Sequence, residues 1–163
     1  SLIKTVIGLL EAQGITVLDP SPFLASAFCG EGLLSNRKMT GELETDIDFG
    51  WKIARRAADL DIGQTIIVKD RAVVAVEGME GTDDAIERGG LLAGLGTTVI
   101  KVSRTHQDPR IDLPAVGLNT IKAMVTAGCA ALCIEADRVP LFQKEEALAL
   151  ADAHNIVILA KKA

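Results

Sequence analysis

The densest group of side chains that could do chemistry lies in residues 101–114, here called the polar loop, which follows a β-branched run that predicts a strand. Two of its carboxylates, Asp108 and Asp112, could ligate a metal ion or activate a water molecule for attack on phosphorus. Arg110, between them, could bind a phosphate group through two parallel hydrogen bonds, which a lysine cannot do. The alternative is an ordinary polar loop with internal Asp–Arg pairs. We favour a functional role because two prolines stiffen a loop that is otherwise costly to order.

A second polar segment, residues 77–83, runs from the end of a predicted strand into the first turn of a predicted helix. In open α/β sheets, ligands bind beyond the carboxyl ends of strands, and a glycine before a helix exposes backbone N–H groups that suit phosphate. Gly81 fits this position, while Glu80 and Asp83 could hold a magnesium ion through their carboxylates. The alternative is that Thr82 and Asp83 only cap the helix, with Thr82 as the N-cap residue. Both interpretations stay open on these residues alone.

Histidines and paired arginines give weaker signals. His106 lies in the polar loop and could contact a ligand, whereas His154 lies near a predicted helix end, where a cation is favourable. The pair Arg55-Arg56 could clamp a phosphate, but a solvent-exposed helix face is the commoner arrangement for such charges. The sequence has no evident Ser-His-Asp or Cys-His arrangement, no P-loop and no GxGxxG motif. These absences argue against a Walker-type nucleotide site.

The elements that must position these side chains alternate between helices and strands. Two β-branched runs separated by a tight turn near Asp70 predict a hairpin, which makes the sheet mixed rather than purely parallel. The alternation predicts an α/β fold, a three-layer domain with a mixed sheet flanked by helices. Helices are predicted over residues 40–60, 82–88, 118–127 and 144–154, and strands over 64–69, 71–77, 97–103, 131–135 and 156–159.

The first 38 residues have a different pattern from the remainder. Apolar residues from Leu2 recur at helical spacing until Gly14, and residues 15–18 predict a short buried strand. Residues 21–38 predict a short helix and an exposed connection. We therefore predict that residues 1–38 are the tail of an N-terminal domain with a linker, and that residues 39–163 form the catalytic α/β domain.

Composition limits the class of protein. Hydrophobic residues make up 48% of the sequence, so a buried core is expected. A net charge of −5, the absence of tyrosine and a single tryptophan argue against nucleic-acid binding. The three cysteines lack zinc-site spacing and predict buried free thiols in a reducing cytoplasm. The apolar first ten residues are too short for a membrane span.

Three motifs together resemble the LpxI family in order and spacing. They read DIGQ at 61–64, VEGMEGTD at 76–83 and HQDPRIDLPAVG at 106–117, where the family reads roughly DxGQ, VEAxEGTD and GQDxRxDLPTxG. The chain departs from the family at His106 and Ala115, where glycine and threonine are usual. It also has Asp70-Arg71 where the family often has Asp-Gly, so a type I′ turn is not assured by residue type.

The resemblance implies an activity: magnesium-dependent hydrolysis of the pyrophosphate of UDP-2,3-diacylglucosamine, giving UMP and 2,3-diacylglucosamine 1-phosphate, in lipid A synthesis of Gram-negative bacteria. It implies an essential aspartate in the polar loop, for which Asp112 is our first choice and Asp108 our second. Arg110 and Lys101 would neutralise phosphate charge. Glu80 would serve the same site, and Asp83 and Asp112 would hold Mg²⁺. The expected substrate-binding residues are Gln64, Gly81, Thr82, Lys101 and Gln107.

The resemblance also implies partners. LpxI proteins carry a further N-terminal domain, and their lipid-linked nucleotide sugar binds between the two domains. We therefore expect weak or no turnover from these 163 residues alone, a cytoplasmic location with transient contact with the inner membrane, and possible homo-oligomers. The alternative function is a non-catalytic module that binds a nucleotide sugar or lipid phosphate. The retained carboxylates favour the enzyme, because a pure binder of an anionic ligand has little need for so many of them.

Overall fold

The computed structural model describes residues 2–163, which build a six-stranded mixed sheet with helices on both faces. In chain order the strands are β1 (Gly32–Leu33), β2 (Thr65–Lys69), β3 (Ala72–Val76), β4 (Thr98–Lys101), β5 (Ala131–Glu135) and β6 (Val157–Lys161). The helices are α1 (Leu2–Ala12), α2 (Gly41–Asp59), α3 (Thr82–Ala93), α4 (Leu118–Ala127) and α5 (Lys144–Ala153), with a 3₁₀ helix at Ser21–Ala27. The predicted three-layer α/β architecture is confirmed.

The strand order β1-β6-β5-β4-β2-β3 brings the ends of several strands to one edge of the sheet. Strands β4, β5 and β6 are parallel, whereas β2 runs antiparallel to both β3 and β4. The carboxyl ends of β3, β4 and β5 and the amino end of β2 therefore lie together. This edge is where α/β sheets usually bind ligands.

Helix α2 covers one face of the sheet, and α3, α4 and α5 cover the other. The Thr40 side chain caps α2 by accepting a hydrogen bond from the Leu43 N–H, 3.4 Å away. Gly50 lets the helix lie close to the sheet, because a Cβ there would be 2.3 Å from Ile100 Cδ1. Burial of Ile47, Trp51 and the alanines of this face then holds the layer in place.

The β2–β3 hairpin has the left-handed backbone of a type I′ turn without a glycine. Asp70 and Arg71 have φ angles of 51° and 59°. Their backbone N–H groups donate to the two carboxylate oxygens of buried Asp46 on α2, at 3.0 and 2.6 Å. These charge-assisted hydrogen bonds compensate for the strain that a non-glycine residue meets in this conformation.

The predicted strand at residues 15–18 is wrong. These residues are neither in a strand nor buried, and Leu18 is 63% exposed. The short edge strand β1 pairs with β6 instead, so part of the predicted linker belongs to the sheet. A four-residue apolar run becomes a strand only where a neighbouring strand supplies hydrogen-bond partners, and residues 2–163 supply none here.

Helix α3 also differs from the prediction at both ends. Its N-cap residue is Gly81 rather than Thr82, which is the first helical residue. The helix passes through Gly89 and Gly90 and ends before Gly94. A Cβ on Gly89 would be 2.8 Å from Ile67 Cγ2, and one on Gly90 would be 2.7 Å from a backbone oxygen of α4. Both glycines thus permit close packing rather than ending the helix.

The prediction of buried free cysteines is confirmed for Cys29, Cys129 and Cys133. Burial raises the pKa of Cys133 to about 12, so this thiol stays protonated and unreactive near neutral pH. In the described part of the chain, no helix has the length and apolar character needed to cross a bilayer.

Candidate active site

A pocket of about 460 Å³ opens at the sheet edge where β3 and β4 end and β2 begins. This volume is within the range of small-molecule binding sites. Its lining combines polar side chains from four segments of the chain. They include Asp61, Gln64, Glu77, Lys101, Arg104 and Asp112.

Lys101, the last residue of β4, forms the floor of this pocket. Its side chain is 6% exposed, and its ammonium group donates to the hydroxyls of Thr65 (3.2 Å) and Thr82. The Thr82 hydroxyl in turn donates to Glu77 Oε1 at 2.8 Å. Desolvation lowers the pKa of Lys101, and the nearby carboxylates of Glu77, Asp112 and Asp83 oppose that shift, in that order.

Asp112 lies in the same pocket, and its carboxylate is oriented by three donors. Gln64 Nε2, Gln107 Nε2 and a guanidinium nitrogen of Arg104 lie 3.4, 3.3 and 3.3 Å from Asp112 Oδ2. Gln107 also donates to the Asp112 backbone oxygen at 2.7 Å. These contacts share one oxygen, and the side chain is 51% exposed, so Oδ1 is the atom left for a water molecule, ion or substrate.

Asp108 and Arg110 pair with each other outside this pocket, although Asp108 and Asp112 both line a neighbouring cavity of about 660 Å³. Arg110 Nε and a terminal nitrogen donate to the two Asp108 oxygens at 3.0 and 2.9 Å, and Arg110 also pairs with Glu11 of α1 at 3.1 Å. This pairing lowers the pKa of Asp108 and raises that of Arg110. Neither Asp108 nor Arg110 lines the pocket that contains Lys101. The two cations expected to neutralise phosphate charge, Lys101 and Arg110, are therefore not brought together in it.

Glu80 and Asp83 line an adjoining hollow with Gly81 and Thr82. Glu80 forms an ion pair with Arg88 and accepts the Gly78 N–H at 3.0 Å, and the hydrogen bond from Arg88 lowers its pKa. Arg88 and the Gly78 N–H therefore already compensate the negative charge of the Glu80 carboxylate. Asp83 is closer to the main site, because its charge acts on Lys101.

The carboxylates of the pocket suit a divalent cation that binds together with a phosphate group. They do not suit a cation held by protein ligands alone. Among residues 2–163, no three His, Cys, Asp or Glu side chains converge to hold a metal ion. Magnesium commonly needs only one or two carboxylates, with water and phosphate oxygens completing its shell. Asp112 offers an oxygen on the open side, and Glu77 Oε2 is buried without a hydrogen bond, 3.7 Å from Lys101 Nζ.

Two residues that sequence reasoning did not select belong to this pocket. Glu77 directly follows β3, and its position at a strand end beside a glycine is the signal that could have identified it. Arg104 joins the pocket through ion pairs with Asp61 (2.6 Å) and Asp112 (3.3 Å). Its place in the pocket depends on the ion pair with Asp61, 43 residues earlier in the sequence, which no local pattern reveals.

Comparison with known proteins identifies the family of the chain. The model of the LpxI C-terminal domain matches residues 30–159. A curated relative, the UDP-2,3-diacylglucosamine pyrophosphatase LpxI of Caulobacter vibrioides, is 30% identical over 98% of this chain. The chain spans 60% of the length of that relative. The chain therefore belongs to the LpxI family, and most of it corresponds to the C-terminal domain of that family.

Proposed function

We propose that this chain is the catalytic part of an enzyme that hydrolyses the pyrophosphate bond of UDP-2,3-diacylglucosamine to UMP and 2,3-diacylglucosamine 1-phosphate. The observation that carries the proposal is the buried Lys101 ammonium below the half-exposed Asp112 carboxylate, in one pocket at the ligand-binding edge of the sheet. This arrangement pairs a site for phosphate charge with a candidate base. Family membership supports the reaction class.

The cations of the pocket would bind the pyrophosphate. Lys101 is buried and cannot be screened by solvent as a surface lysine is, so its attraction for a phosphate oxygen is strengthened. Arg104 lies 3.3 Å from Asp112 Oδ2 and can exchange this contact for a phosphate contact. The amides of Gln64 and Gln107, together with Thr82 and the Gly81 backbone, would orient the same group.

Asp112 would accept a proton from the attacking water. Its Oδ2 is held by three donors, which leaves Oδ1 to accept the proton. A carboxylate held in this way lowers the entropic barrier to attack on phosphorus. Asp108 is held by Arg110 instead, so we assign it a supporting role in the loop.

We further propose that Mg²⁺ binds with the substrate, held by Asp112 and Asp83. A bound magnesium ion would supply positive charge that offsets the charge developing on the phosphate oxygens. Lys101 would supply further positive charge for the same phosphates.

The whole protein would include more than this chain, since the curated relative is longer. We propose that an additional N-terminal domain completes the lipid-binding part of the site, and that the enzyme meets its substrate at the inner membrane. On that basis the 163 residues alone should give weak turnover, and joining them to the N-terminal domain should restore it.

The decisive experiment measures UMP release from UDP-2,3-diacylglucosamine with Mg²⁺, using the 163-residue chain and the protein that carries the N-terminal domain. Release that depends on Mg²⁺ and is lost in Asp112→Asn supports the proposal, with Asp108→Asn as the matched control. Substrate binding without UMP release would instead establish a nucleotide-sugar-binding module. Full activity of the 163 residues alone would contradict the proposed need for a second domain.

A further inference from the structure

Glu135 is a carboxylate that is 1% exposed and that is not part of the pocket lining. It is the last residue of β5, next to the carboxyl end of β4 in the parallel part of the sheet. Its Oε2 accepts hydrogen bonds from the backbone N–H (2.8 Å) and the hydroxyl (2.9 Å) of Ser103. Its Oε1 accepts from Arg55 of α2 at 2.6 Å and lies 3.5 Å from Arg138 Nε. Both oxygens are thus fully used.

The residues around Glu135 also bind Arg104 and Thr105, the two residues after Ser103. Arg138 donates to the backbone oxygen of Arg104 at 2.8 Å. Arg55 also donates to the Thr105 hydroxyl at 3.3 Å. Asp59, at the end of α2, accepts the Thr105 N–H (2.7 Å) and hydroxyl (2.8 Å), and these two hydrogen bonds lower the pKa of Asp59.

Through Glu135, Arg55, Arg138 and Asp59, these contacts converge on Ser103–Thr105, the part of the polar loop that directly follows β4 and Val102. Two further hydrogen bonds connect this segment to the pocket. The Arg104 N–H donates to Gln107 Oε1 at 3.2 Å, and Gln107 Nε2 donates to the Asp112 backbone oxygen at 2.7 Å. Arg104 itself reaches the Asp112 carboxylate. The position of Asp112 therefore depends on where the loop leaves the sheet.

Packing alone does not require a charged group at this place. Burying a carboxylate has a large desolvation penalty, and apolar replacements of buried ion pairs are often as stable as the pair. Hydrogen bonds to backbone groups, in contrast, fix geometry to a few tenths of an ångström, and an error of about 1 Å in a catalytic group can reduce the rate about 100-fold.

We propose that Glu135, together with Arg55, is a positioning residue that holds the start of the polar loop and thereby aligns Asp112. The proposal deepens the proposed function and rests on it for its kinetic consequence. Its structural consequence, the ordering of the loop, can be measured without any substrate.

The experiment compares Glu135→Gln with the unmodified protein carrying its N-terminal domain, by hydrogen–deuterium exchange and by UMP release. A glutamine keeps the shape and one acceptor for Ser103, but its amide nitrogen cannot accept from Arg55. We expect backbone exchange to rise about tenfold or more in residues 103–114 and to stay unchanged in β4 and β5. We expect kcat to fall about 10- to 100-fold while KM changes less than about threefold, since Lys101 is untouched.

The matched control is Asp48→Asn, which removes an ion pair with Lys161 (3.0 Å) at the carboxyl end of β6 without touching the loop. It should leave both readouts unchanged. Unchanged exchange in the loop of Glu135→Gln would overturn the proposal, and so would exchange that rises equally across the sheet, because this indicates loss of overall stability. If Glu135→Gln does not fold, Ser103→Ala removes one of the two hydrogen bonds to Oε2, and the same local rise is required of it.

The two hypotheses fail in different ways. Absence of UMP release from the unmodified protein would reject the proposed function, while the exchange data would still decide whether Glu135 orders the loop. Release by the unmodified protein, with an unaltered kcat in a variant whose loop exchanges faster, would reject the positioning role alone.

Discussion

The polar loop contains two acid–base pairs that look alike in sequence and differ sharply in structure. Asp112 lies with Lys101 and Arg104 in the pocket at the sheet edge, whereas Asp108 lies with Arg110 and Glu11 outside it. In the first cluster the lysine is buried and one carboxylate oxygen is left for a ligand. In the second, one guanidinium is shared by two carboxylates. The capacity to bind a ligand therefore depends on whether a carboxylate oxygen is left without a donor, as Oδ1 of Asp112 is and the two oxygens of Asp108 are not.

The difference follows from how each side chain is attached to the fold. Lys101 belongs to an inner strand of the sheet, and its side chain is only 6% exposed. Arg110 lies in a turn closed by a hydrogen bond from the Ile111 N–H to the Asp108 oxygen, 3.0 Å, with solvent on its outer side. Water and salt weaken the attraction between exposed charges such as Arg110 and Asp108. They weaken the attraction of the buried Lys101 ammonium for a ligand charge much less.

The largest expected effect separates the two aspartates. Asp112→Asn should lower kcat for UMP release about 100- to 1,000-fold, because the amide cannot accept the proton of the attacking water. Asp108→Asn keeps the shape of the loop and should change kcat less than about threefold, in keeping with its position outside the pocket. Equal losses in the two variants, measured side by side, would remove the distinction between the clusters.

The next effect separates the two cations. Lys101→Met retains length and apolar packing but removes the buried charge, and we expect kcat/KM to fall about 100-fold, as for other lost transition-state donors. Arg110→Met should reduce it less than about fivefold, because Arg110 is engaged by Asp108 and Glu11. A larger loss for Arg110→Met than for Lys101→Met would show that the outer cluster binds the phosphates.

The alkaline side of the pH profile gives a third, smaller effect. Burial lowers the pKa of Lys101, so activity should fall with rising pH before an ordinary lysine would deprotonate. Lys101→Arg should remove this alkaline decline, since a guanidinium stays charged. A decline that persists unchanged in Lys101→Arg would exclude Lys101 as its source.

The same shift has a consequence for stability with a definite sign. Between the lowered folded pKa of Lys101 and its ordinary value of 10.5, the unfolded chain binds a proton that the folded chain does not. The contribution of Lys101 to the free energy of unfolding should therefore rise with pH in that window. Urea titrations of the wild type and Lys101→Met at two alkaline pH values would measure it, and a contribution that falls with pH would contradict the assignment.

Much of the fold could be predicted from local patterns, and the failures have physical causes. The apolar stripe of α2 is a strong signal because it buries one periodic face of the helix. The runs that became β2 and β5 are strong signals because consecutive apolar residues are buried on both faces of the sheet. Residues 15–18 carry the same kind of signal but lack a neighbouring strand. The helix predicted over residues 82–88 in fact continues through Gly89 and Gly90, which it needs for close packing. This is a tertiary effect that single-sequence propensity cannot contain.

The segments that build the candidate site could be predicted from the sequence, but the contacts between their side chains were less predictable. Asp112, Lys101, Gln64 and Thr82 were selected from the sequence and lie together. The pair Arg55-Arg56 was expected either to clamp a phosphate or to face solvent. Arg56 is exposed, whereas the Arg55 side chain is 21% exposed and pairs with Glu135 across 80 residues of sequence. Contacts of this kind are set by the strand order, which local residue types do not encode.

The smallest expected effect concerns the outer cluster. Glu11→Gln removes one of the two carboxylates on Arg110, and it should leave the urea midpoint at pH 7 unchanged within error, because exposed ion pairs contribute little.

Arg110→Ala, in contrast, should change the stability at low pH. The pKa of Asp108 is lowered chiefly by its hydrogen bond from Arg110, so this carboxylate stabilises the folded chain above its ordinary pKa of 3.8 and loses that effect as pH falls through the lowered value. Acid unfolding followed by circular dichroism should therefore separate Arg110→Ala from wild type as the pH rises from strongly acidic values to about 4, with the variant the less stable. Identical acid curves together with a large loss of kcat in Arg110→Ala would mean that Arg110 leaves Asp108 and works in the pocket, and the two clusters would then be one site.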